Sequence, residues 1–223
     1  MKHSVAIVLA LIVGIAACGS GGDVSTTSVV DRVLPGRPDL AVDQMVAALM
    51  LGDVEVIRQL TSDRQLAIIV ALEGGGTEEL AAMLESGVPD DVAVNFWTSF
   101  VGGFPDLVGE SIEDMDFGTS VPQRVQGVEF VSFPVAFGTE TAGTEWFTRS
   151  TAIGWEIDLL ATFGGPFASA LESLVRRTTD PVVLGAIRGE RASFEAAYQR
   201  HADLGSNVRV QAALMSLLDL LSS

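Results

Sequence analysis

The chain is short of the side chains that carry most enzyme chemistry. It has one lysine, two histidines and one cysteine, namely Lys2, His3, His201 and Cys18. Schiff-base chemistry requires a reactive lysine. If the N-terminal segment with Lys2 and His3 is removed, no lysine remains, and a Ser-His-acid triad would have to use His201. Zinc motifs, P-loops and the G-x-S-x-G turn are missing as well. We therefore predict no catalytic residues, no metal site and no cofactor.

Positive charge is also scarce. The 223 residues include 29 Asp and Glu but only 13 Lys and Arg, which gives a net charge of -16. Nucleic acids and anionic lipids attract proteins through Lys and Arg, so both are disfavoured as electrostatic partners. Hydrophobic residues make up 48% of the chain, enough to bury a sizeable core. The composition predicts an acidic folded domain that does not bind nucleic acid.

The N-terminus has the features of a signal peptide. Lys2 and His3 precede an uncharged apolar run over 5–17, whose length as a helix would be about 20 Å. A hydrocarbon core of about 30 Å is too thick for such a helix to span comfortably. A short basic start followed by a run of this length is typical of a secretory signal.

The apolar run ends in Ile15, Ala16, Ala17 and Cys18. This sequence resembles the lipobox of bacterial lipoproteins, which has an aliphatic residue, two small residues and a cysteine. The resemblance implies a diacylglycerol on Cys18 and cleavage between Ala17 and Cys18, and two or more acyl chains make membrane attachment lasting. Gly19 stands where an aspartate often retains lipoproteins in the inner membrane, so either the cell membrane or the outer membrane is implied. An ordinary secretory signal and an uncleaved anchor are the alternatives.

The sequence divides into three parts. We predict a signal peptide over 1–17, a lipidated N-terminus with a flexible linker over 18–38, and a single domain over 39–223. The linker is polar and ends in two prolines, a composition typical of flexible coil. We predict an α+β domain, rich in helices, with a small antiparallel sheet at about 125–163 and helices on both sides of it.

Helical signals dominate the two ends of this domain. Asp39 is predicted to cap a first helix that ends at Gly52. Ser62 and Gln65 have the spacing of a capping box at the start of the next helix. Further helices are predicted after Thr77, Pro89, Asp180 and Ser206, and from Pro166.

The middle of the domain alternates apolar and polar residues. This pattern predicts strands over 125–138, 144–150 and 154–163, joined by short loops as an antiparallel meander. Pro134 lacks the N–H group that a central strand needs. We therefore expect the first strand to contain a bulge or to lie at an edge, and not to be central.

Two stretches, LMLGDVEVIRQL at 49–60 and GWEIDLLATF at 154–163, loosely resemble the NTF2-like and cystatin-like group. In that group a curved sheet wraps around helices and a pocket opens at its wide end. An NTF2-like cone with extra helices is thus the alternative fold. The resemblance implies a tentative pocket lined by Phe133, Trp146, Trp155 and Asp158.

Acidic residues supply two further candidates. A run of four carboxylates invites a calcium interpretation, but its spacing fails the EF-hand pattern and predicts a solvated turn; the run comprises Glu110, Glu113, Asp114 and Asp116. Glu156 and Asp158 share one face of a predicted strand, either as ordinary polar residues or as an acid pair. His201, near a helix end beside Arg200, is interpreted as structural.

Three functions are consistent with these observations. The leading hypothesis is a membrane-anchored envelope lipoprotein with a non-catalytic binding or assembly-supporting domain. Its expected partners are the bilayer, through acylated Cys18, and an envelope protein or small ligand that the sequence does not identify. The alternatives are a carrier of a small apolar ligand and a carboxylate-dependent enzyme.

Overall fold

The computed structural model describes residues 32–138, 140–205 and 208–222. It confirms the α+β class: helices precede and follow a small antiparallel sheet. The predicted signal peptide and Cys18 lie outside the described residues. The end of the predicted linker, 32–37, is described and packs against the domain, with Leu34 buried.

Helices α1 to α5, which precede the sheet, are Pro38–Leu51, Val54–Leu60, Asp63–Val70, Gly76–Ser86 and Asp90–Val108. Of these, α1, α3, α4 and α5 begin close to the predicted signals, whereas no separate start was predicted for α2. α1 ends at Gly52, whose φ of 66° is left-handed, as the sequence indicated. Its N-cap is Arg37 and not Asp39, because Pro38 occupies the first helical position. Ser62 precedes α3 as expected, but its side chain makes no capping hydrogen bond.

Five antiparallel strands form one sheet. They are β1 Met115–Phe117, β2 Val121–Val125, β3 Val128–Phe137, β4 Glu140–Thr151 and β5 Gly154–Ile157. β3 pairs with β4 along one edge and with both β1 and β2 along the other, and β4 pairs with β5. The predicted meander is confirmed. The predicted first strand is interrupted, however, because Gln126 and Gly127 turn the chain with φ values of 49° and 85°.

The prediction that the first strand is not central was wrong, because β3 lies between neighbours on both sides. Pro134 nevertheless sits where the register shifts, so the predicted bulge is confirmed. Its carbonyl accepts a hydrogen bond from Gly118 N at 2.8 Å, in the gap between β1 and β2. The nitrogen of Pro134, which has no hydrogen to donate, therefore faces the gap between β1 and β2. No regular ladder of hydrogen bonds runs there, so none is broken.

The predicted strand over 154–163 was wrong beyond Ile157. Asp158 is the N-cap of α6, Leu159–Arg177, and its side chain accepts a hydrogen bond from Ala161 N at 2.7 Å. The helix continues through Gly164, Gly165 and Pro166, where the sequence predicted a new start. A Cβ on Gly165 would lie 2.9 Å from Val210 Cγ1, so this glycine permits close helix packing and does not end a helix.

The chain ends in α7 Pro181–Gly189, α8 Arg191–Asp203 and α9 Val208–Leu221. Asp180 caps α7 as predicted, accepting hydrogen bonds from two backbone N–H groups. α7 and α8 follow one another directly along the chain. The helices are separate because Glu190 interrupts them, with its side chain turned into the interior.

The sheet has two chemically different faces. Phe133, Trp146 and Ile157 lie on what we call the aromatic face, which joins the main hydrophobic core. Arg149 and Glu156 pair across β4 and β5 on the opposite side, which we call the ionic face. α8 packs on the ionic face, where Gln123 donates a hydrogen bond to the Ala196 carbonyl.

Candidate functional site

Arg149 is the centre of a cluster of ionised groups on the ionic face. Its Nε lies 2.5 Å from Glu156 Oε1, its Nη1 lies 2.7 Å from Glu190 Oε2, and its Nη1 lies 3.5 Å from Asp158 Oδ2. The three carboxylate side chains are at most 3% exposed, whereas Arg149 is 20% exposed. One guanidinium therefore joins β4, β5, the start of α6 and the α7–α8 junction.

Neutral groups complete the hydrogen bonding of this cluster. Gln65 on α3 donates from Nε2 to Glu190 Oε2 at 2.8 Å, and its Oε1 accepts from Leu159 N at 2.8 Å. Ser193 on α8 donates from Oγ to Asp158 Oδ2 at 2.7 Å. Gln65, Asp158 and Ser193 are fully buried. Buried polar groups are costly unless they are paired, and here each of them has a partner.

Two further arginines lie at the rim of the cluster. Arg32 Nη2 is 2.8 Å from Glu156 Oε2, and Arg64 Nη1 is 3.7 Å from Glu190 Oε1. Three guanidiniums thus face three carboxylates, so the formal charges cancel. Cancellation of this kind limits the cost of burying the acids.

The cluster shifts the pKa values of its members. Burial raises the pKa of Asp158 above its ordinary range; the Glu190 charge acts in the same direction, and Arg149 opposes both. Burial alone would lower the pKa of Arg149, but the charges of Asp158, Glu190 and Glu156 raise it above its ordinary value. The site therefore stabilises the charged guanidinium, and burial makes ionisation of Asp158 less favourable than it is in water.

This arrangement is suited to holding secondary-structure elements together. A general acid or base must come within hydrogen-bond reach of a substrate proton. Asp158 is fully buried and its two oxygens already accept from Ala161 N and Ser193 Oγ. Its geometry is that of a helix cap within a buried network. We interpret the cluster as a clamp between sheet and helices.

The aromatic face contains the other part of the predicted pocket. Phe133 and Trp146 are direct cross-strand neighbours, and both are buried. Phe117 packs edge-on against each, with ring centroids 6.2 and 5.9 Å away, and Phe163 lies 6.5 Å from Trp146. Rings at these separations are in direct contact and fill the interior between them.

The four residues of the tentative pocket do not line one cavity. Trp155 pairs with Ser150 in the β4–β5 register, on the same face as Trp146, and is partly exposed. Asp158 belongs to the cluster around Arg149 on the opposite side of the sheet. The backbone of the sheet therefore separates the acid from the aromatic residues.

One cleft opens beside the aromatic face, between α1 and the gap separating β1 from β2. Its volume is about 210 Å³ and it is lined by Asp39, Val42, Asp43, Phe117, Gly118, Ser120 and Phe133. Pockets for small molecules usually enclose about 300 Å³ or more. The cleft is thus small for an organic ligand of ordinary size.

The remaining sequence candidates are dispersed. Glu113 and Asp114 lie in a short 3₁₀ turn, Ile112–Asp114, and Asp116 lies on β1. Within the described ranges, no group of three or more His, Cys, Asp or Glu residues could hold a metal ion. His201 lies on α8 next to Gly165, and burial lowers its pKa despite the opposing charge of Glu145.

The sequence indicated Glu156 and Asp158 but not the other members of the cluster. Gln65 was assigned to a capping box, and nothing in the local sequence indicates its contact with Glu190. Arg149 and Glu156 could have been paired from the short turn that joins β4 to β5, since that turn sets their register. The contact of Glu190 spans 125 residues and depends on helix packing alone.

Comparison with known protein families, with curated proteins and with solved structures finds no match for this chain. Over the described part of the chain, no helix is long and apolar enough to cross a membrane.

Proposed function

We propose that this chain is a lipoprotein of the bacterial cell envelope, attached to the cell membrane or outer membrane through acylated Cys18. Its domain binds an envelope partner and is not catalytic. The observation that carries the proposal is the sequence Ile15-Ala16-Ala17-Cys18 at the end of the apolar run. The only cysteine of the chain occupies the one position at which a lipobox requires it.

Two structural features support a non-catalytic domain. The buried acids Glu156, Asp158 and Glu190 are all held by arginines and hydrogen-bond donors within the protein. The aromatic residues that the carrier hypothesis requires pack against one another, and the cleft beside them is only about 210 Å³. Both features favour a stable scaffold that presents its surface over an enzyme or a small-molecule carrier.

Metabolic labelling tests the attachment. We expect the protein made in a lipoprotein-processing bacterium to incorporate a labelled fatty acid, and its mature polypeptide to begin at Cys18. Cys18→Ser should remove the label. A variant combining Cys18→Ser with Ser20→Cys has the same composition but moves the thiol by two positions, and it should stay unlabelled as well.

Two results would contradict the proposal. One is an unlabelled wild-type protein whose polypeptide still begins at Met1. The other is equal labelling of the variant with the displaced thiol, since acylation would then not depend on the lipobox.

A further inference from the structure

The first described residues, 32–37, form a strap beside the edge of β5 that faces away from β4. Trp155 N donates a hydrogen bond to the Pro35 carbonyl at 2.8 Å, and Leu34 is only 6% exposed. A Cβ on Gly154 would lie 2.7 Å from Leu34 Cβ. The strap is therefore in close contact with the turn between β4 and β5.

Arg32 fixes the beginning of the strap. Its Nε donates to the Gln59 carbonyl at 2.6 Å, its Nη2 donates to the Thr61 carbonyl at 2.7 Å, and the same Nη2 lies 2.8 Å from Glu156 Oε2. Cys18 precedes Arg32 by 14 residues (32 − 18), which span at most about 50 Å. The chain thus enters the domain at a fixed point that lies within about 50 Å of Cys18.

The surface at this point differs from the rest of an acidic chain. We define the tether face as the strap, 32–37, and the adjoining turn, 150–155. Its only charged residues are Arg32 and Arg37, and each is paired with a carboxylate, Glu156 and Asp39. In a chain of net charge -16, the tether face contains no acidic residue of its own.

The tether face also exposes apolar side chains. Val33 is 79% exposed and Ile153 is 56% exposed, and each is the chain neighbour of a residue in the Leu34–Gly154 contact. Trp155, on the same turn, is partly exposed. Aliphatic side chains gain free energy on leaving water, and tryptophan favours the interface between a bilayer and water.

We propose that the tether face lies on the lipid bilayer, with Val33 and Ile153 inserted at the boundary between headgroups and acyl chains. This inference rests on the lipid attachment proposed above, because a diacylglycerol on Cys18 keeps the face near the membrane. Insertion here is apolar and not electrostatic, since both arginines of the face are already paired. Contact should therefore be no stronger on anionic than on zwitterionic vesicles, because the net charge of -16 offers anionic lipid no attraction.

Tryptophan fluorescence provides the test. The lipidated mature protein, which begins at Cys18, is reconstituted into phosphatidylcholine vesicles with or without brominated acyl chains, which quench nearby indoles. Trp97 and Trp146 are 1% and 2% exposed within the core, so quenching should come from Trp155. We expect brominated lipid to quench the wild-type protein and to leave a Trp155→Phe variant nearly unchanged.

A matched pair of variants separates insertion from mere proximity. Val33→Asp combined with Ile153→Asp should lower the quenching by at least about threefold, because a charged side chain is strongly disfavoured inside a bilayer. Leu51→Asp alters an equally exposed residue, 82% accessible, at the far end of α1, about 20 Å from Pro38, and should change nothing. Circular dichroism checks that both variants fold. If the double variant does not fold, quenching is measured in Val33→Ser instead.

The outcomes distinguish this inference from the function on which it depends. An acylated protein whose tryptophan fluorescence is quenched, and whose quenching falls when Val33 and Ile153 are replaced by aspartate, supports both proposals. An acylated protein without quenching, or with quenching that Val33→Asp and Ile153→Asp leave intact, overturns the tether face and preserves the anchor. A wild-type protein without acylation overturns both.

Discussion

The two faces of the sheet achieve stability by different physical means. The aromatic face buries Phe133 and Trp146 among other rings, and each contact is non-directional. The ionic face buries Glu156 and Asp158 around Arg149, where every oxygen needs a donor at a defined distance. The sheet thus carries the main hydrophobic core on one face and, on the other, a directional network beside a smaller apolar cluster that includes Phe130 and Phe147.

The difference predicts unequal responses to mutation. Loss of apolar volume can be compensated partly by small shifts of neighbouring side chains. Loss of one partner in a buried ion cluster leaves its counter-charges without compensation, and no small shift restores them. The ionic face should therefore be the more sensitive side of the molecule.

Arg149→Met should have the largest effect. Removing the guanidinium leaves Glu156, Asp158 and Glu190 facing one another in the interior, so we expect the free energy of unfolding to fall by about 4 kcal/mol. Urea denaturation followed by circular dichroism measures it. Arg176→Met is the matched control, since Arg176 is 57% exposed in its pair with Glu172 and should cost less than about 0.5 kcal/mol. Equal losses of stability in the two variants would contradict the expected difference between the buried ion cluster and an exposed ion pair.

Phe133→Leu should have an intermediate effect on the aromatic face. The smaller side chain loses its contact with Phe117 but leaves no unpaired charge, so we expect a loss of about 1.5 kcal/mol. This loss should be the same at low and at high salt and across the neutral pH range. A marked dependence on pH would show that the two faces are coupled through the sheet.

Asp158→Asn should have the smallest effect, visible in its pH dependence. Because the folded protein raises the pKa of Asp158, this carboxyl contributes stability below its ordinary pKa of 3.8 and loses that contribution as pH rises through the folded value. Asparagine does not titrate but retains an oxygen to cap α6. The wild type should therefore lose stability relative to the variant as pH increases from 3.8 through the folded pKa.

Thermal unfolding of both proteins at a series of pH values measures this difference. A difference in stability between the two proteins that does not change with pH would contradict the raised pKa of Asp158. If the wild type instead became more stable than the variant at higher pH, the charge of Arg149 would outweigh burial in setting that pKa.

Several local signals, in which a residue acts on its own neighbours, were confirmed. Asp180 and Pro181 start α7 as expected, Gly52 ends α1, and the alternating segments form antiparallel strands. Such signals depend on the backbone geometry of a few neighbouring residues, and the local sequence contains all of those residues. The start of α1 was displaced because Pro38 itself takes the first helical position, and Pro166, which was predicted to open a helix, lies inside α6.

Predictions failed where a local pattern fits two structures. GWEIDLLATF alternates well enough for a strand, yet Asp158 turns the chain into α6 because its carboxylate caps the helix and is held by Ser193 and Arg149. Without those distant partners, a buried aspartate at this position would be costly. The choice between strand and helix was therefore made by packing.

By itself, the sequence determined the α+β class, most helix starts and the antiparallel meander, since propensity, capping and periodicity act over a few residues. It also determined the prediction of a lipid anchor at Cys18, which depends on four adjacent positions. Only the tertiary structure decided that Gln65, Arg149 and Glu190 meet, that β3 is central, and that the strap of 32–37 closes the edge of β5. These contacts join residues far apart in the chain, and their free energy exists only once the elements have packed.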